Sequence, residues 1–218
     1  MDPINRLAGF RAGWIGRLDG VEATTDRDQT LARLRPHHEA IVRREFGADR
    51  WWRAEQVHGR GVAEVPVSGT RLAGDGLPVV PEVDGLVTSK PGELLGIYVA
   101  DCGAIWIADR GSGAVGLLHS GKKGSELGIL GEAIRTMTDR FGSKPADLVV
   151  VLGPCIRPPD YEIDFAAMIA EQAQLAGVGE FHDRGDNTAR DLSLHYSYRI
   201  EKGCTGRMLA LIVGGENV

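Results

Sequence analysis

The chain has 218 residues, of which 43% are hydrophobic and 25% are charged, a balance that is ordinary for a globular protein. The formal net charge is -5 and no long run of lysine or arginine occurs, so the basic face that nucleic-acid binding requires is not predicted. No apolar stretch approaches the roughly 18 residues of a membrane span, and the first residues lack the apolar core of a signal peptide. We therefore expect a soluble cytoplasmic protein that binds neither nucleic acid nor membranes.

Hydrophobic periodicity predicts both helices and strands. Apolar residues at helical spacing predict helices over residues 30–46, 124–141 and 164–176, each followed by a glycine that ends it. The predicted strands lie at residues 8–18, 51–67 (two strands and their turn), 84–88, 94–102, 114–119, 147–152, 196–199 and 207–213, with one more strand after residue 102. Because the strands follow one another in hairpins rather than in regular β–α–β units, the pattern favours a mixed α/β fold with layered sheets. The length suits one hydrophobic core, so we expect a single domain over residues 1–218.

The segment from residue 94 to residue 128 carries the most concentrated chemical pattern. One predicted strand ends at Cys102 and another at His119, and a glycine-flanked turn that begins a helix follows directly. Strand ends and glycine-rich turns are where proteins usually display functional side chains. We therefore predict that the active site lies here.

A second imidazole extends this pattern. His58 lies in another glycine-flanked turn, and two histidines with one cysteine are a suitable set of zinc ligands that leaves a fourth position for water or substrate. No local spacing rule covers residues so far apart in the chain, and simple packing of Cys102 and the histidines is the alternative. Asp101 is either an acceptor that orients a ligand or a turn residue.

The turn after His119 also suggests an anion site. Lys122 and Lys123 precede Gly124, where the predicted helix begins, and backbone N–H groups at a helix start attract anions. Arg199 and Arg207 could add guanidinium forks for phosphate or carboxylate. Alternatively, both lysines are simply solvated and the two arginines lie on the surface.

Several short motifs, in a fixed order, resemble one protein family. They are Gln56-Val57-His58-Gly59, Asp84-Gly85-Leu86-Val87-Thr88, Ala100-Asp101-Cys102, His119-Ser120-Gly121, Gly153-Pro154-Cys155-Ile156 with Tyr161-Glu162, and Tyr196-Ser197-Tyr198-Arg199 with Thr205-Gly206-Arg207-Met208. In this order they resemble the YfiH-like family, described both as polyphenol oxidase or laccase-domain proteins and as purine nucleoside phosphorylases. The resemblance extends from about residue 14 to the end of the chain.

The resemblance implies a layered α/β/β/α fold and a zinc site whose ligands are His58, Cys102 and His119, with Asp101 beside them. It also implies phosphorolysis of adenosine, inosine or guanosine, which is a transferase reaction, or deamination of adenosine, which is a hydrolase reaction. The implied partners are a purine nucleoside and phosphate, and we expect a monomer or a weak homo-oligomer. The expected substrate- and phosphate-binding residues are Gln56, Lys122, Lys123, Gly124 and Arg199.

Two departures from the family pattern leave alternatives open. Family members usually carry Trp-Arg where this chain has Lys122 and Lys123, and a lysine cannot form a bidentate fork. The segment before Tyr196 is also shorter than usual. If these departures disable the pocket, the chain is a non-catalytic nucleoside-binding relative. Independently of them, the same geometry without a metal suits a cysteine hydrolase or amidase with Cys102 as nucleophile and His119 as base. A laccase reaction is not expected, because four coppers require many imidazoles and the chain has six histidines.

Overall fold

A computed structural model describes residues 1–68, 70–73 and 76–215 of the chain. The helices are α1 (Asp2–Asn5), α2 (Arg27–Phe46), α3 (Lys122–Glu126), α4 (Ile129–Phe141) and α5 (Phe165–Leu175). The strands are β1 (Phe10–Ile15), β2 (Trp52–Ala54), β3 (Val62–Glu64), β4 (Arg71–Leu72), β5 (Pro78–Val80), β6 (Gly85–Thr88), β7 (Leu95–Val99), β8 (Gly103–Asp109), β9 (Val115–Ser120), β10 (Leu148–Leu152), β11 (Glu180–Asp183) and β12 (Met208–Gly214). None of the described helices is both long and apolar enough to cross a membrane.

Within the residues that the structure describes, the strands form two six-stranded sheets. The first has the order β1-β12-β7-β2-β5-β4 and the second has the order β11-β10-β8-β9-β6-β3. Both are mixed, since β7 is antiparallel to β12 but parallel to β2, and β10 is antiparallel to β8 but parallel to β11. Among the described residues, the chain passes from the first sheet to the second between β2 and β3, between β5 and β6, and between β7 and β8. Because β2 is parallel to both β5 and β7, these three crossings leave the first sheet at the same end.

The apolar core has two layers. Between the sheets, Trp106 packs among side chains of both and donates a hydrogen bond from Nε1 to the carbonyl of Leu211 at 2.8 Å. The neighbouring Ile105 points to the opposite face, as successive strand residues do, and packs with Ile134 of α4 in a second cluster that also includes α5. On the other side of the molecule, Leu34 of α2 joins the first cluster. This arrangement confirms the mixed α/β fold with α/β/β/α layers.

The helix predicted over residues 124–141 is two helices. Gly128 adopts a left-handed φ of 74° between α3 and α4, a conformation that glycine reaches without steric cost. Gly142, with a φ of 70°, ends α4 as predicted. The first of the two helices begins at Lys122, so Gly124 lies inside it rather than at its start.

The strand predicted over residues 196–199 is a turn. The backbone nitrogen of Ser197 donates to the Glu201 carboxylate at 3.0 Å, and the hydroxyl oxygen of Ser197 accepts from the nitrogen of Ile200 at 3.3 Å. Local side chains thus satisfy the backbone groups that a neighbouring strand would otherwise bond.

Candidate active site

Three side chains, two from connections between the sheets and one from a strand, converge at one end of the sheets. His58 lies in the crossing between β2 and β3, Cys102 in the crossing between β7 and β8, and His119 near the end of β9. Their ligand atoms all lie within 4.8 Å of one another, and the two imidazole rings meet edge to face with centroids 4.8 Å apart. His119 is buried, Cys102 is partly buried and His58 is exposed. The structure thus brings together the three residues that the sequence analysis grouped.

The backbone around this cluster is strained. Gln56, His58 and Asp101 have φ angles of 65°, 60° and 75°, in the left-handed region that residues other than glycine rarely adopt. Strained residues of this kind persist only where the surrounding structure holds them, and they concentrate at functional sites. The two turns that carry His58 and Cys102 are therefore held in place by their neighbours.

The buried carboxylate of Asp84 is the neighbour that holds both histidines. It accepts hydrogen bonds from the backbone nitrogens of Val57, His58 and Gly59 at 3.2, 2.9 and 2.7 Å. It also lies 2.8 Å from Nδ1 of His119, which leaves Nε2 of that ring available to a ligand or to Cys102. A carboxylate on the second nitrogen of a histidine is the usual means of orienting a metal-binding imidazole.

Asp101 does not have the orienting role that the sequence analysis considered for it. Its carboxylate accepts from the Thr188 hydroxyl at 2.8 Å and from the backbone nitrogen of Arg199 at 2.7 Å. These contacts tie the C-terminal segment to the turn before Cys102. The carboxylate that contacts a histidine of the cluster is Asp84, which the sequence analysis noted only as part of a motif.

Electrostatics favour a thiolate at Cys102. Burial would raise the pKa of the thiol, but the charge and hydrogen bond of His119, together with those of His58, outweigh burial and lower the pKa to about 6. Burial likewise opposes protonation of His119, yet the Cys102 thiolate and the Asp84 carboxylate raise the pKa of the imidazole to about 9. A thiolate is the form of cysteine that binds metals and attacks electrophiles, so the pair suits either use.

A cavity of about 650 Å³ opens beside the cluster, a size typical of small-molecule sites. Of the residues expected to bind substrate, Gln56, Lys122 and Arg199 border it. Among the described residues that line the cavity, Lys123 and Gly124 do not occur. Gly124 is buried because α3 packs on the turn of His58, where an added Cβ would lie 3.3 Å from the carbonyl oxygen of Gly59. The anion site predicted at Gly124 therefore has no opening to this cavity.

Gln56 borders the cavity but its amide is already engaged. Nε2 donates to the carbonyl of Tyr98 at 2.5 Å, and Oε1 accepts from the backbone nitrogen of Tyr98 at 3.1 Å. The side chain therefore extends the hydrogen bonding of β7 and positions the turn of His58. Substrate binding by Gln56, which also lines the cavity, stays a prediction.

Further residues complete the cavity wall. Tyr161 and Phe165 form an aromatic pair with ring centroids 6.0 Å apart, and Arg199 lies 5.0 Å above the ring of Tyr161. Arg27 and Arg207 supply two further guanidinium groups. The sequence analysis noted Tyr161 within a motif and Arg207 as a possible guanidinium fork, but it missed Phe165 and Arg27, and no local pattern distinguishes Arg27.

A layered α/β/β/α fold that displays two histidines and a cysteine beside a small-molecule cavity defines a class of protein with a candidate metal site. The chain belongs to the multi-copper polyphenol oxidoreductase laccase family, whose model matches residues 4–165 and 160–214. This membership confirms the resemblance drawn from the motifs.

Individual relatives match over most of their length. The purine nucleoside phosphorylase YlmD of Geobacillus stearothermophilus is 32% identical over 226 residues, which cover 88% of this chain and 81% of the relative. A purine nucleoside phosphorylase of Deinococcus radiodurans is 32% identical over 233 residues, which cover 95% of this chain and 86% of the relative. The crystal structure of YlmD from Geobacillus stearothermophilus has a TM-score of 0.78 at 29% identity and covers 96% of this chain and 93% of its own.

Proposed function

We propose that this protein is a zinc-dependent enzyme of purine nucleoside metabolism, with His58, Cys102 and His119 as the metal ligands. The observation that carries the proposal is the convergence of these three donors within 4.8 Å beside a cavity of about 650 Å³. The substrate class comes from the relatives, which are named purine nucleoside phosphorylases. We further propose that residues 1–218 act as one catalytic domain.

The donor set fits zinc. Zinc lies about 2.0–2.3 Å from imidazole nitrogen and thiolate sulfur, and it accepts both donor types in sites with three protein ligands and one open position. The pKa of Cys102, lowered to about 6, makes the thiolate available at neutral pH. When bound, zinc supplies a Lewis acid and can lower the pKa of a coordinated water. The three donors form the one such group among the described residues, and we propose no multi-copper reaction for it.

The cavity favours phosphorolysis over deamination. Its lining includes the cations Arg27, Lys122, Arg199, Lys202 and Arg207. The carboxylate of Asp101 also borders the cavity, but it is committed to Thr188 and to the backbone of Arg199. A positive cavity attracts phosphate, which phosphorolysis consumes and deamination does not. The aromatic pair of Tyr161 and Phe165 offers faces on which a purine base can stack.

A second candidate function follows from the same cluster. The thiolate of Cys102 beside a protonated His119 is also the arrangement of a cysteine nucleophile and its base. In a metal-free hydrolase or amidase, Cys102 would attack a carbonyl and His119 would hold and return the proton. This candidate predicts full activity without zinc, whereas the zinc enzyme loses activity when the metal is removed.

One experiment separates these functions. The protein is purified without added metal or chelator, its metal content is measured by mass spectrometry, and adenosine, inosine and guanosine are each incubated with and without phosphate. Release of the free base only with phosphate, together with stoichiometric zinc, supports the proposal. Inosine formed from adenosine without phosphate indicates deamination. Activity that survives complete removal of zinc would refute the metal-dependent reaction.

The ligand variants and a matched histidine control complete the test. His58→Ala and Cys102→Ser are expected to lose both zinc and activity. His182→Ala removes an exposed imidazole that pairs with Glu180 on β11, and this variant should retain both. Zinc bound stoichiometrically by Cys102→Ser would exclude the thiolate as a necessary ligand.

A further inference from the structure

Two arginines face the cavity without an acidic partner. Arg27 is the first residue of α2 and Arg207 directly precedes β12, and both line the cavity. Within the described part of the chain, the guanidinium group of Arg27 makes no hydrogen bond or ion pair. Arg207 uses only Nη1, which donates to the carbonyls of Thr205 and Gly206 at 3.1 and 2.8 Å. The other nitrogens of both guanidinium groups are left for a bound molecule.

The positive charges of these arginines repel one another. Burial lowers the pKa of Arg207, and the charge of Arg27 lowers it further. Burial and the charge of Arg53 lower the pKa of Arg27, and the opposing carboxylates of Asp28 and Glu55 act on it without forming an ion pair. Converging like charges that are partly removed from water are unfavourable, and a bound anion relieves them.

The remaining cations of the cavity are less suited to hold an anion tightly. Arg199 already pairs with Glu162 at 3.1 Å. Lys122 and Lys202 are exposed, and an ammonium group is a strongly hydrated point charge. A guanidinium group instead presents parallel N–H donors that match two oxygens of a phosphate. The ring of Tyr198 lies 5.9 Å from the guanidinium carbon of Arg207 and supports that group from its face.

We propose that Arg27 and Arg207 together form the binding site for a phosphoryl dianion in this cavity. The dianion is either free orthophosphate or the 5′-phosphate of a purine nucleotide, which share the same chemistry. The inference deepens the proposed function, on which it rests, because it names the residues that bind the phosphoryl group of the reaction. It also places the phosphate site away from the start of α3, where the sequence analysis expected an anion site, and pairs Arg207, which the sequence analysis noted, with Arg27 of α2.

The test measures binding directly, so it requires no turnover. Isothermal titration calorimetry with orthophosphate, adenosine 5′-monophosphate and adenosine is performed on the wild type, Arg27→Gln and Arg207→Gln. Each variant is expected to bind the phosphoryl ligand at least about tenfold more weakly, because a charge-assisted hydrogen bond is lost, while adenosine affinity changes less than about threefold. Arg43→Gln removes the same charge from an exposed position of α2 and should bind all three ligands like the wild type.

The two sources of the phosphoryl group give different patterns. Arginine-dependent binding of orthophosphate assigns free phosphate, and arginine-dependent binding of the nucleotide alone assigns a phosphate ester. The proposal is overturned if Arg27→Gln binds both ligands within about twofold of the wild type, or if the wild type binds neither. Phosphate binding without phosphorolysis would leave this site standing and refute the proposed reaction.

Thermal denaturation tests whether weaker binding by a variant is caused by a folding defect. Removal of one repelling charge predicts that Arg27→Gln melts no lower than the wild type in phosphate-free buffer. Phosphate should raise the Tm of the wild type and of Arg43→Gln, but not that of Arg27→Gln. Arg27→Lys keeps the positive charge but loses the paired N–H donors of the guanidinium group. Its phosphate affinity is therefore expected to lie between those of the wild type and Arg27→Gln. A phosphate-induced Tm shift of wild-type size in Arg27→Gln would contradict the proposal.

Discussion

Oδ1 of Asp84 lies 2.8 Å from Nδ1 of His119, and the same oxygen accepts a hydrogen bond from the backbone nitrogen of His58 at 2.9 Å. One buried carboxylate thus fixes the ring of one candidate ligand and the strained turn that carries another. Asp84 lies directly before β6, in the crossing between β5 and β6, and it joins His119 of the second sheet to the crossing between β2 and β3.

Asp84→Asn is therefore expected to weaken zinc binding by about 10–100-fold, the usual effect of losing such a partner. An asparagine has the same shape, but it lacks the negative charge beside His119, and its NH2 group cannot accept the hydrogen bonds that Val57 and Gly59 donate to Oδ2. The affinity is measured by competition with a chromogenic chelator.

A matched control exists for this substitution. Asp109 is also a buried carboxylate, and it accepts from the backbone of Gly111 at 2.8 Å and from the hydroxyl of Ser112 at 2.5 Å in the β8–β9 turn. Asp109→Asn should lower stability and leave zinc affinity unchanged. Equal zinc affinity in Asp84→Asn and the wild type would show that Asp84 does not position the ligands.

The three cysteines should react with iodoacetamide in a defined pattern. In metal-free protein at pH 7, Cys102 is expected to react readily because its pKa is lowered to about 6, whereas burial raises the pKa of Cys155 to about 12 and protects it until the protein unfolds. Added zinc should protect Cys102. Peptide mapping by mass spectrometry follows each site.

Cys204 is an internal control, since it is exposed and lies outside the cluster. Its labelling rate should be the same with and without zinc. If zinc leaves the rate at Cys102 unchanged, the thiolate is not a ligand and the nucleophile alternative gains support.

The strands β7 to β10 were predictable from their runs of apolar residues, whereas the contacts among the strand ends were not. The apolar stretches of β7 to β10 are continuous because both faces are covered, which makes them easy to recognise. The choice between Asp84 and Asp101 as the orienting carboxylate depends on where two distant turns meet. Neither spacing nor propensity carries that information.

Two other errors of the sequence analysis, the single helix over residues 124–141 and the omission of Arg27, have identifiable physical causes. The single helix predicted over residues 124–141 was wrong because the apolar periodicity continues through α3 and α4. That periodicity does not reveal that one residue between them, Gly128, has a left-handed conformation. Arg27 reaches the cavity only through the packing of α2 on the first sheet. The residues next to Arg27 in the chain are mostly polar, so they do not indicate that its side chain lines a cavity.

Gly96 in β7 is predicted to tolerate no side chain. A Cβ at this position would lie 2.3 Å from Cδ1 of the buried Trp51. Gly96→Ala should therefore destabilise the fold by about 1–3 kcal/mol, the usual cost of overpacking a core. Urea denaturation gives the free energy of unfolding.

Gly131 provides the contrasting substitution. It lies in α4 with nothing within 4 Å of an added Cβ, so Gly131→Ala should stabilise the protein by about 0.5–1 kcal/mol through helix propensity. Similar effects of the two substitutions would contradict the packing described around Trp51.

His38 is expected to make the fold sensitive to mild acid. It is fully buried beside Tyr98, its ring nitrogens have no hydrogen-bond partner among the described residues, and burial together with the charge of His37 lowers its pKa to about 4. An unfolded histidine titrates near 6.5. As the pH falls from 6.5 to 4, the unfolded chain therefore gains a proton that the folded chain does not, and stability falls.

Between pH 7.5 and pH 5, protonation of the unfolded chain at His38 should lower the free energy of unfolding by about 2 kcal/mol. His38→Phe should remove this pH dependence. The measurement is the free energy of unfolding in urea at both pH values. The exposed neighbour provides a control, and His37→Gln is expected to retain nearly the full pH dependence of the wild type. Parallel pH profiles for the wild type and His38→Phe would exclude His38 as the cause.

Two of the three candidate ligands lie where the backbone passes from one sheet to the other, and the third lies on the second sheet. An ion held there cross-links the two halves of the sandwich at that end, independently of the apolar layer between them. Metal loading should accordingly slow amide hydrogen exchange at the ends of β2, β7 and β9, and leave the opposite ends of the sheets as the region where unfolding begins. Removal of the ion by a chelator would then break this cross-link between the two sheets, so the protein should unfold faster as well as lose activity.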